Sequence, residues 1–288
     1  MKIAVASGKG GTGKTFIATN LAQYLAARQP VVLVDLDVEE PNAGLFFDTQ
    51  FIQHEIKYSM IPQWDQERCT LCGLCQDLCH FHAIVQADPK LIIFPELCHS
   101  CYACSELCPE QALPMKSRRI GILSRHADKN LRFVQGELDV GQEQVVPLIH
   151  QVIHYVDENY PADFIKIFDA PPGTSCPVVE AVKQADYVIL VTEPTPFGLH
   201  DLKLAVEAMR QLKKSMGVVI NRTGLGGTAV EAYCDQEDIP VLAGIAHDRR
   251  IAERYSRGKL ASDLPEVKMA LETITAHVLE AKIPLVVS

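Results

Sequence analysis

Eight of the ten cysteines in this 288-residue chain lie between positions 69 and 108, in two runs of identical spacing. Cys69, Cys72, Cys75 and Cys79 follow C-x2-C-x2-C-x3-C. Cys98, Cys101, Cys104 and Cys108 repeat it 29 residues later, and Pro109 follows the last of them. A segment this short cannot bury a large core, so ligation must supply much of its folding free energy. A structural zinc would want two separated C-x2-C pairs around one tetrahedral ion. Disulfides would need an exported chain. Two runs of four fit neither and match the ligation of cubane iron–sulfur clusters.

The spacing resembles that of bacterial-type ferredoxins, in which three close cysteines hold one cubane and the fourth ligates the other. The resemblance implies one 4Fe–4S cluster on Cys69, Cys72, Cys75 and Cys108. A second falls to Cys79, Cys98, Cys101 and Cys104. Many ferredoxins have proline after the fourth cysteine, and here His80 follows Cys79. That change predicts altered local packing or potential, not loss of a cluster. Ile84, Val85, Leu91, Ile92 and Ile93 are expected to cover the clusters, and Trp64 to pack beside them.

The N-terminus carries a second signature. Lys2 to Ser7 reads as a short apolar strand, Gly8-Lys9-Gly10-Gly11-Thr12-Gly13-Lys14-Thr15 follows at once, and Phe16 to Ala27 is helical. This is G-x4-G-K-[ST] in its strand–loop–helix context. Glycines let successive backbone N–H groups curl around a phosphate, and the helix N-terminus favours negative charge. Lys14 is expected on the β- and γ-phosphates and the Thr15 hydroxyl on Mg2+.

Lys9 makes the loop more specific. The form K-G-G-T-G-K-T resembles the deviant P-loop of the MinD/ParA/Mrp class of ATPases. Val31 to Asp37 resembles that family's second strand and first switch, and Asp169-Ala170-Pro171-Pro172-Gly173-Thr174 its second switch. Asn221-Arg222 resembles its adenine-recognition point, and Thr192 to Gly198 is also similar. The combination resembles MinD-superfamily ATPases that carry an inserted ferredoxin domain. The resemblance implies that Lys9 reaches a partner protomer's phosphates in an ATP-dependent homodimer, and that Asp37 orients water. It also implies that Asp169 holds Mg2+ through water and that Gly173 offers its N–H to the γ-phosphate. Asp35 is expected to support the metal shell. Asn221 is expected to read adenine with both ends of its amide, with Arg222 stacking or pairing nearby. The stretch Gly244 to Asp248 departs from the family by having Ala246 where proline is usual, so no adenine ligand is assigned there.

The remaining chain reads as alternating strands and helices. Strands are expected at 2–7, 31–35, 120–123, 131–134, 164–168, 187–191, 216–220 and 241–246. Helices are expected at 14–27, 146–159, 176–184, 199–214, 228–237, 248–257 and 265–281. Near-continuous apolar strands such as Phe164 to Phe168 suit burial on both faces. The fold class is therefore α/β, a doubly wound, mainly parallel sheet. Residues 1–61 and 116–288 form the ATPase domain, and 62–115 an inserted small α+β ferredoxin domain. Ligands of such sheets bind at the carboxyl ends of strands, where Lys14, Asp37, Asp169 and Asn221 fall.

A net charge of −9 gives no sign of general nucleic-acid binding. Within 62–115, seven acidic residues face two basic ones, which would suit a basic docking partner. Lys2 opens a strand, not a leader peptide, and no apolar run reaches membrane-spanning length. The tail from Ala281 to Ser288 is apolar but lacks a basic amphipathic anchor. Reduced cysteines and ATP together point to the cytoplasm. Cys176 and Cys234 are expected to be buried, inert residues.

Three functions fit. One is an ATPase that couples nucleotide state to electron transfer through its clusters, slow without dimerisation or a partner. Another is a cluster or metal-cofactor carrier serving a maturation pathway. The third is a nucleotide-gated redox sensor with little turnover. Amidotransferase-like synthases share the P-loop, but no glutaminase Cys–His pair is evident here.

Overall fold

The computed structural model describes residues 1–280; the expectations for Ala281 to Ser288 lie outside them. In chain order the elements are β1 (Lys2–Ala6), α1 (Lys14–Ala26), β2 (Val31–Asp35), β3 (Gln50–Pro62), α2 (Leu74–Asp77), β4 (Ile84–Ala87) and β5 (Lys90–Ile93). Then come α3 (Ala103–Glu106), β6 (Met115–Asp128), β7 (Leu131–Leu138), α4 (Val145–Asn159), β8 (Ile165–Asp169), α5 (Cys176–Lys183), β9 (Tyr187–Thr192) and α6 (Pro196–Gln211). The chain continues through β10 (Met216–Thr223), α7 (Ala229–Gln236), β11 (Val241–Ala246), α8 (Arg249–Ser256) and α9 (Pro265–Glu280).

Nine strands form one sheet in the order β11-β10-β9-β1-β8-β2-β7-β6-β3. The first seven of these run parallel, and β6 and β3 continue antiparallel. β2, β8 and β9 are buried along their whole length, which explains their unbroken apolar sequences. Residues of α4, α5, α6 and α7 pack one face. Residues of α1 and α9 pack the other. The expected doubly wound, mainly parallel sheet is thus observed.

The edge differs from expectation. Two short strands were expected at 120–123 and 131–134, and none near 50–62. Instead β3 and β6 pair from Gln50–Ala127 out to Pro62–Met115 as a long antiparallel ribbon. β3 hid because much of it faces solvent: Phe51, Ile52, Ile56 and Tyr58 are all exposed. It lacks the buried alternate face that a period-two pattern reports. α6 also begins three residues earlier than expected, since the Thr195 hydroxyl caps it by accepting from Gly198 N–H at 3.0 Å, with Pro196 in the first turn.

Both cysteine runs lie beyond the ribbon's last pair. Their backbone repeats with the sequence. Left-handed conformations occur at Leu71, Gly73 and His82, and 29 residues later at Ser100, Tyr102 and Gln111. Tyr102 stands where the first run has glycine, and a side chain in that region costs about 1–2 kcal/mol. Such strain persists only where the surroundings fix it. Ile84, Leu91 and Leu113 form a small core against Trp64, Cys69, Cys75 and Cys104. Val85 and Ile92 do not join it. They pair across β4 and β5 on the outer face and are exposed, which corrects the expectation that they cover the clusters.

Candidate functional site

The loop after β1 opens into a cleft at the carboxyl ends of the central strands. Gly10, Gly11, Gly13, Lys14 and Thr15 line it together with Asp37, Asn221 and Arg222. Gly13 adopts φ +101°, and a Cβ there would lie 2.3 Å from Asn221 Nδ2. Only glycine fits both the angle and the space.

Lys14 is buried. Burial holds its ammonium below the usual range, against the opposing pull of Asp169, Asp37 and Asp35. Asp169 is fully enclosed, and burial first, then Asp35, pushes its carboxyl well above the usual range. The Thr15 hydroxyl lies near enough to pull it down, yet among the described residues neither carboxylate oxygen completes a hydrogen bond. Leaving such oxygens unpaired costs about 1–3 kcal/mol or more. A hydrated divalent cation between Asp169 and Thr15 would satisfy them, so the donor set fits Mg2+. Burial also raises the half-buried Asp37, while Lys14 draws it down.

Three expected roles change on contact with the fold. Asp35 accepts backbone N–H bonds from Asp37 at 3.1 Å and from Asn42 and Ala43 at 2.9 Å each. Its carboxylate pins the loop after β2, and burial pushes it up to about 6. Asn221 donates through Nδ2 to the Thr12 carbonyl at 2.8 Å and accepts from Arg222 N–H at 2.9 Å. Its amide braces the phosphate loop before any base arrives. Gly173 donates its N–H to the Ser7 carbonyl at 3.1 Å, so that group is committed to the loop after β1.

Arg222 pairs with Glu193, and Lys9 Nζ lies 3.9 Å from the same carboxylate. Glu193 is thus a site residue that sequence reading passed over, although Thr192 to Gly198 had been singled out. Sequence reading also named nothing on α8, yet its Ile251 and Tyr255 line the cleft. Tyr255 packs against Phe46 with ring centroids 4.8 Å apart and planes tilted by 38°. No fixed motif marks such residues; only packing brings them there. Cys234 is buried as expected, but Cys176 is exposed, because it opens α5 directly after the loop of the second switch.

The insert holds two further cavities. One is bounded by Cys69, Cys72, Cys75 and Cys108, with Cys104 at its wall. The other is bounded by Cys79, Cys98, Cys101 and Cys104. Each run therefore contributes three close cysteines to one cavity and its fourth to the other. Equivalent backbone bonds orient the crossing sulfurs: Ala83 N–H donates to Cys79 Sγ at 3.2 Å, and Ala112 N–H to Cys108 Sγ at 3.3 Å. Among the described residues no three His, Cys, Asp or Glu side chains converge as a single metal ion would need. A cubane asks instead for four thiolates spread around a larger body, and the two cysteine-walled cavities fit that demand. Burial and neighbouring cysteines push the Cys104 thiol up to about 11, so ligation would release protons.

Fold and cleft together define a P-loop nucleotide-binding protein. The family described as CobQ/CobB/MinD/ParA nucleotide binding domain matches residues 3–261, and the chain belongs to it. An uncharacterized protein of Methanocaldococcus jannaschii is 33% identical over 226 residues, covering 78% of this chain and 79% of that protein. The cytosolic Fe-S cluster assembly factor NUBP1 homolog of Brugia malayi is 24% identical over 283 residues, covering 90% and 73%. The septum site-determining protein MinD of Pyrococcus horikoshii, solved with Mg-ADP, shares the fold with a TM-score of 0.60 at 22% identity, covering 98% of this chain and 99% of that one. Among the described residues no helix is long and apolar enough to cross a membrane.

Proposed function

We propose that this chain is an ATP-binding and ATP-hydrolysing iron–sulfur protein that couples nucleotide state to electron transfer through two 4Fe–4S clusters. One observation carries the reading. Two four-cysteine cavities hang from a ribbon whose strand β3 leaves the same loop, 36–49, that contributes Asp37, Glu40 and Asn42 to the nucleotide cleft.

On this reading Lys14 neutralises the β- and γ-phosphates, Thr15 and Asp169 hold Mg2+, and Asp37 orients the attacking water. Lys9 acts in trans in an ATP-dependent homodimer, after leaving Glu193. Cys69, Cys72, Cys75 and Cys108 hold one cluster, and Cys79, Cys98, Cys101 and Cys104 the other; when bound, each would carry one electron at a time. The acidic insert suits a basic redox or cofactor-assembly partner in the cytoplasm. No nucleic acid is required.

The test is an anaerobic redox titration of both clusters by electron paramagnetic resonance, with and without Mg-ATP. A shift near 59 mV would correspond to a tenfold change in equilibrium, about 1.4 kcal/mol. Unchanged potentials would remove the electron-transfer reading. The similarity to a protein named for Fe–S cluster assembly favours a second reading, in which the chain delivers clusters to a client. Iron lost to an apo-acceptor during ATP turnover would select it.

A further inference from the structure

The two cysteine runs are alike in sequence but not in their attachment to the ATPase body. Cys98 lies between two anchors. Two residues before it, the Glu96 carboxylate accepts both terminal nitrogens of Arg118 on β6 at 3.2 Å each, and the Glu96 carbonyl accepts from Gln144 Nε2. Two residues after it, Ser100 Oγ donates to the Met60 carbonyl on β3 at 2.6 Å. The matching positions beside Cys69 are Glu67 and Leu71. Glu67 is exposed and makes no ion pair among the described residues, and the Leu71 carbonyl accepts only from Gln86 of the insert itself.

Both nucleotide-facing loops lead to Glu96. From the first, Val38, next to Asp37, accepts from Leu138 N–H at 2.8 Å. The neighbouring Asp139 takes a two-pronged bond from Arg119 at 2.7 and 2.9 Å, and Arg119 adjoins Arg118. From the second, the loop after Asp169 runs straight into α5. That helix packs on α4 through Val178, Ala181 and Val182 against Ile149, Val152 and Ile153, and through Glu180 with His150 Nδ1 at 2.9 Å. Gln144, which holds the Glu96 carbonyl, is the residue that opens α4.

We infer that Glu96 is the joint through which nucleotide state reaches the insert, and that it acts on one cluster site alone, that of Cys79, Cys98, Cys101 and Cys104. This rests on the reading that the insert binds clusters under nucleotide control. Glu96 is a positioning residue on this view: it sets the backbone entering Cys98, and Glu67 does nothing comparable for Cys69. The repeat therefore supplies its own control, one glutamate tied to the ATPase body and its counterpart 29 residues earlier not tied. Packed side chains and hydrogen-bond networks carry the movement of a loop to a distance, and the contacts just described arrive only at the second run.

The experiment compares the full cluster-loaded protein with Glu96→Ala, Gln144→Ala and Glu67→Ala, each checked for unchanged iron content and Mg-ADP affinity. Gln144 lies outside the insert, so its variant remains informative if Glu96→Ala assembles poorly. Two quantities are read with and without Mg-ADP or a non-hydrolysable ATP analogue: hydrogen exchange of 94–100 against 65–71, and the dithionite-poised potentials of both clusters. Expected is nucleotide-dependent exchange at 94–100 only. One cluster, identified through its altered signal in Cys101→Ser, should shift by a tenfold change in equilibrium, about 59 mV. Glu96→Ala and Gln144→Ala should lose the shift, and Glu67→Ala should keep it. Equal shifts in both clusters, or a shift that survives both variants, would overturn the joint while leaving nucleotide control standing. No shift in the unaltered protein would remove the coupling reading, and the joint with it.

Discussion

The side-chain amide of Asn221 fills the space that a Cβ on Gly13 would need, with Nδ2 2.3 Å from that position and 2.8 Å from the Thr12 carbonyl. Residues 209 positions apart thereby fix the curl of the phosphate loop. Asn221 is first a brace and only second a candidate contact to a base. Asn221→Ala should therefore weaken Mg-ATP and Mg-GTP binding alike, by the roughly 1–3 kcal/mol of a lost buried hydrogen bond. Paired titration calorimetry with the two nucleotides checks this. Loss confined to ATP would return Asn221 to base recognition.

Lys14 and Lys9 should separate by phenotype. Lys14→Ala removes the buried cation of the cleft and should abolish Mg-ATP binding. Lys9→Ala breaks only a long contact to Glu193 and should leave binding within a few-fold. If Lys9 acts in trans as arginine fingers do, hydrolysis should fall about 10³-fold or more. Steady-state phosphate release beside nucleotide affinity decides it. Hydrolysis at the native rate in Lys9→Ala would end the trans assignment.

Asp35 gives a pH signature. Its folded pKa, about 6, lies above the ordinary value of 3.8 because burial outweighs its three backbone N–H donors. A carboxyl raised in the folded state favours folding when protonated, so this contribution is present below about pH 4 and lost as pH rises through about 6. The span is on the order of 3 kcal/mol. The stability of the nucleotide-free protein relative to Asp35→Asn should thus decline from pH 4 to pH 7 in chemical denaturation. A relative stability that grows with pH would mean that the three donors win.

Asp169 should report Mg2+ through protons. Its carboxyl is held well above the usual range by burial, and a cation requires the ionised form. Mg-nucleotide affinity should rise with pH as Asp169 ionises, and binding should release protons. Calorimetry in buffers of different ionisation enthalpy counts them, and Asp169→Asn should lose that release. Equal heats in every buffer would contradict the assignment.

The crossed cysteines can be checked by pairing defects. Cys108→Ala should remove the same cluster signal as Cys72→Ala, and Cys79→Ala the same as Cys101→Ala, each taking iron from about eight to about four per chain. If Cys108→Ala instead matches Cys101→Ala, each run holds its own cluster.

Most of the body was legible in the chain itself. Lys14, Thr15 and the eight cysteines announce their chemistry through spacing over a few residues, and strands buried on both faces, such as Ile165–Asp169, announce themselves as apolar runs. Such features are legible because their residue types and spacing lie within a few positions of one another. Away from the β3–β6–β7 edge and the cysteine-rich segment, the expected strands and helices fall within a few residues of the observed ones.

The rest belongs to the tertiary structure, because it depends on groups distant in sequence meeting in space. The ribbon strand β3 carries no buried face for a pattern to reveal, and only pairing with β6 makes it a strand. Gly173 became a donor to Ser7 and Asn221 a brace for Thr12 because of what stands beside each one in space, not what precedes it. Spacing in the sequence marked the candidate phosphate loop and the candidate cluster cysteines. The sheet decided which of them face one another, since desolvation and hydrogen bonding act through distance in space, and so bound Cys98, through Glu96, to the ATPase body while leaving Cys69 apart.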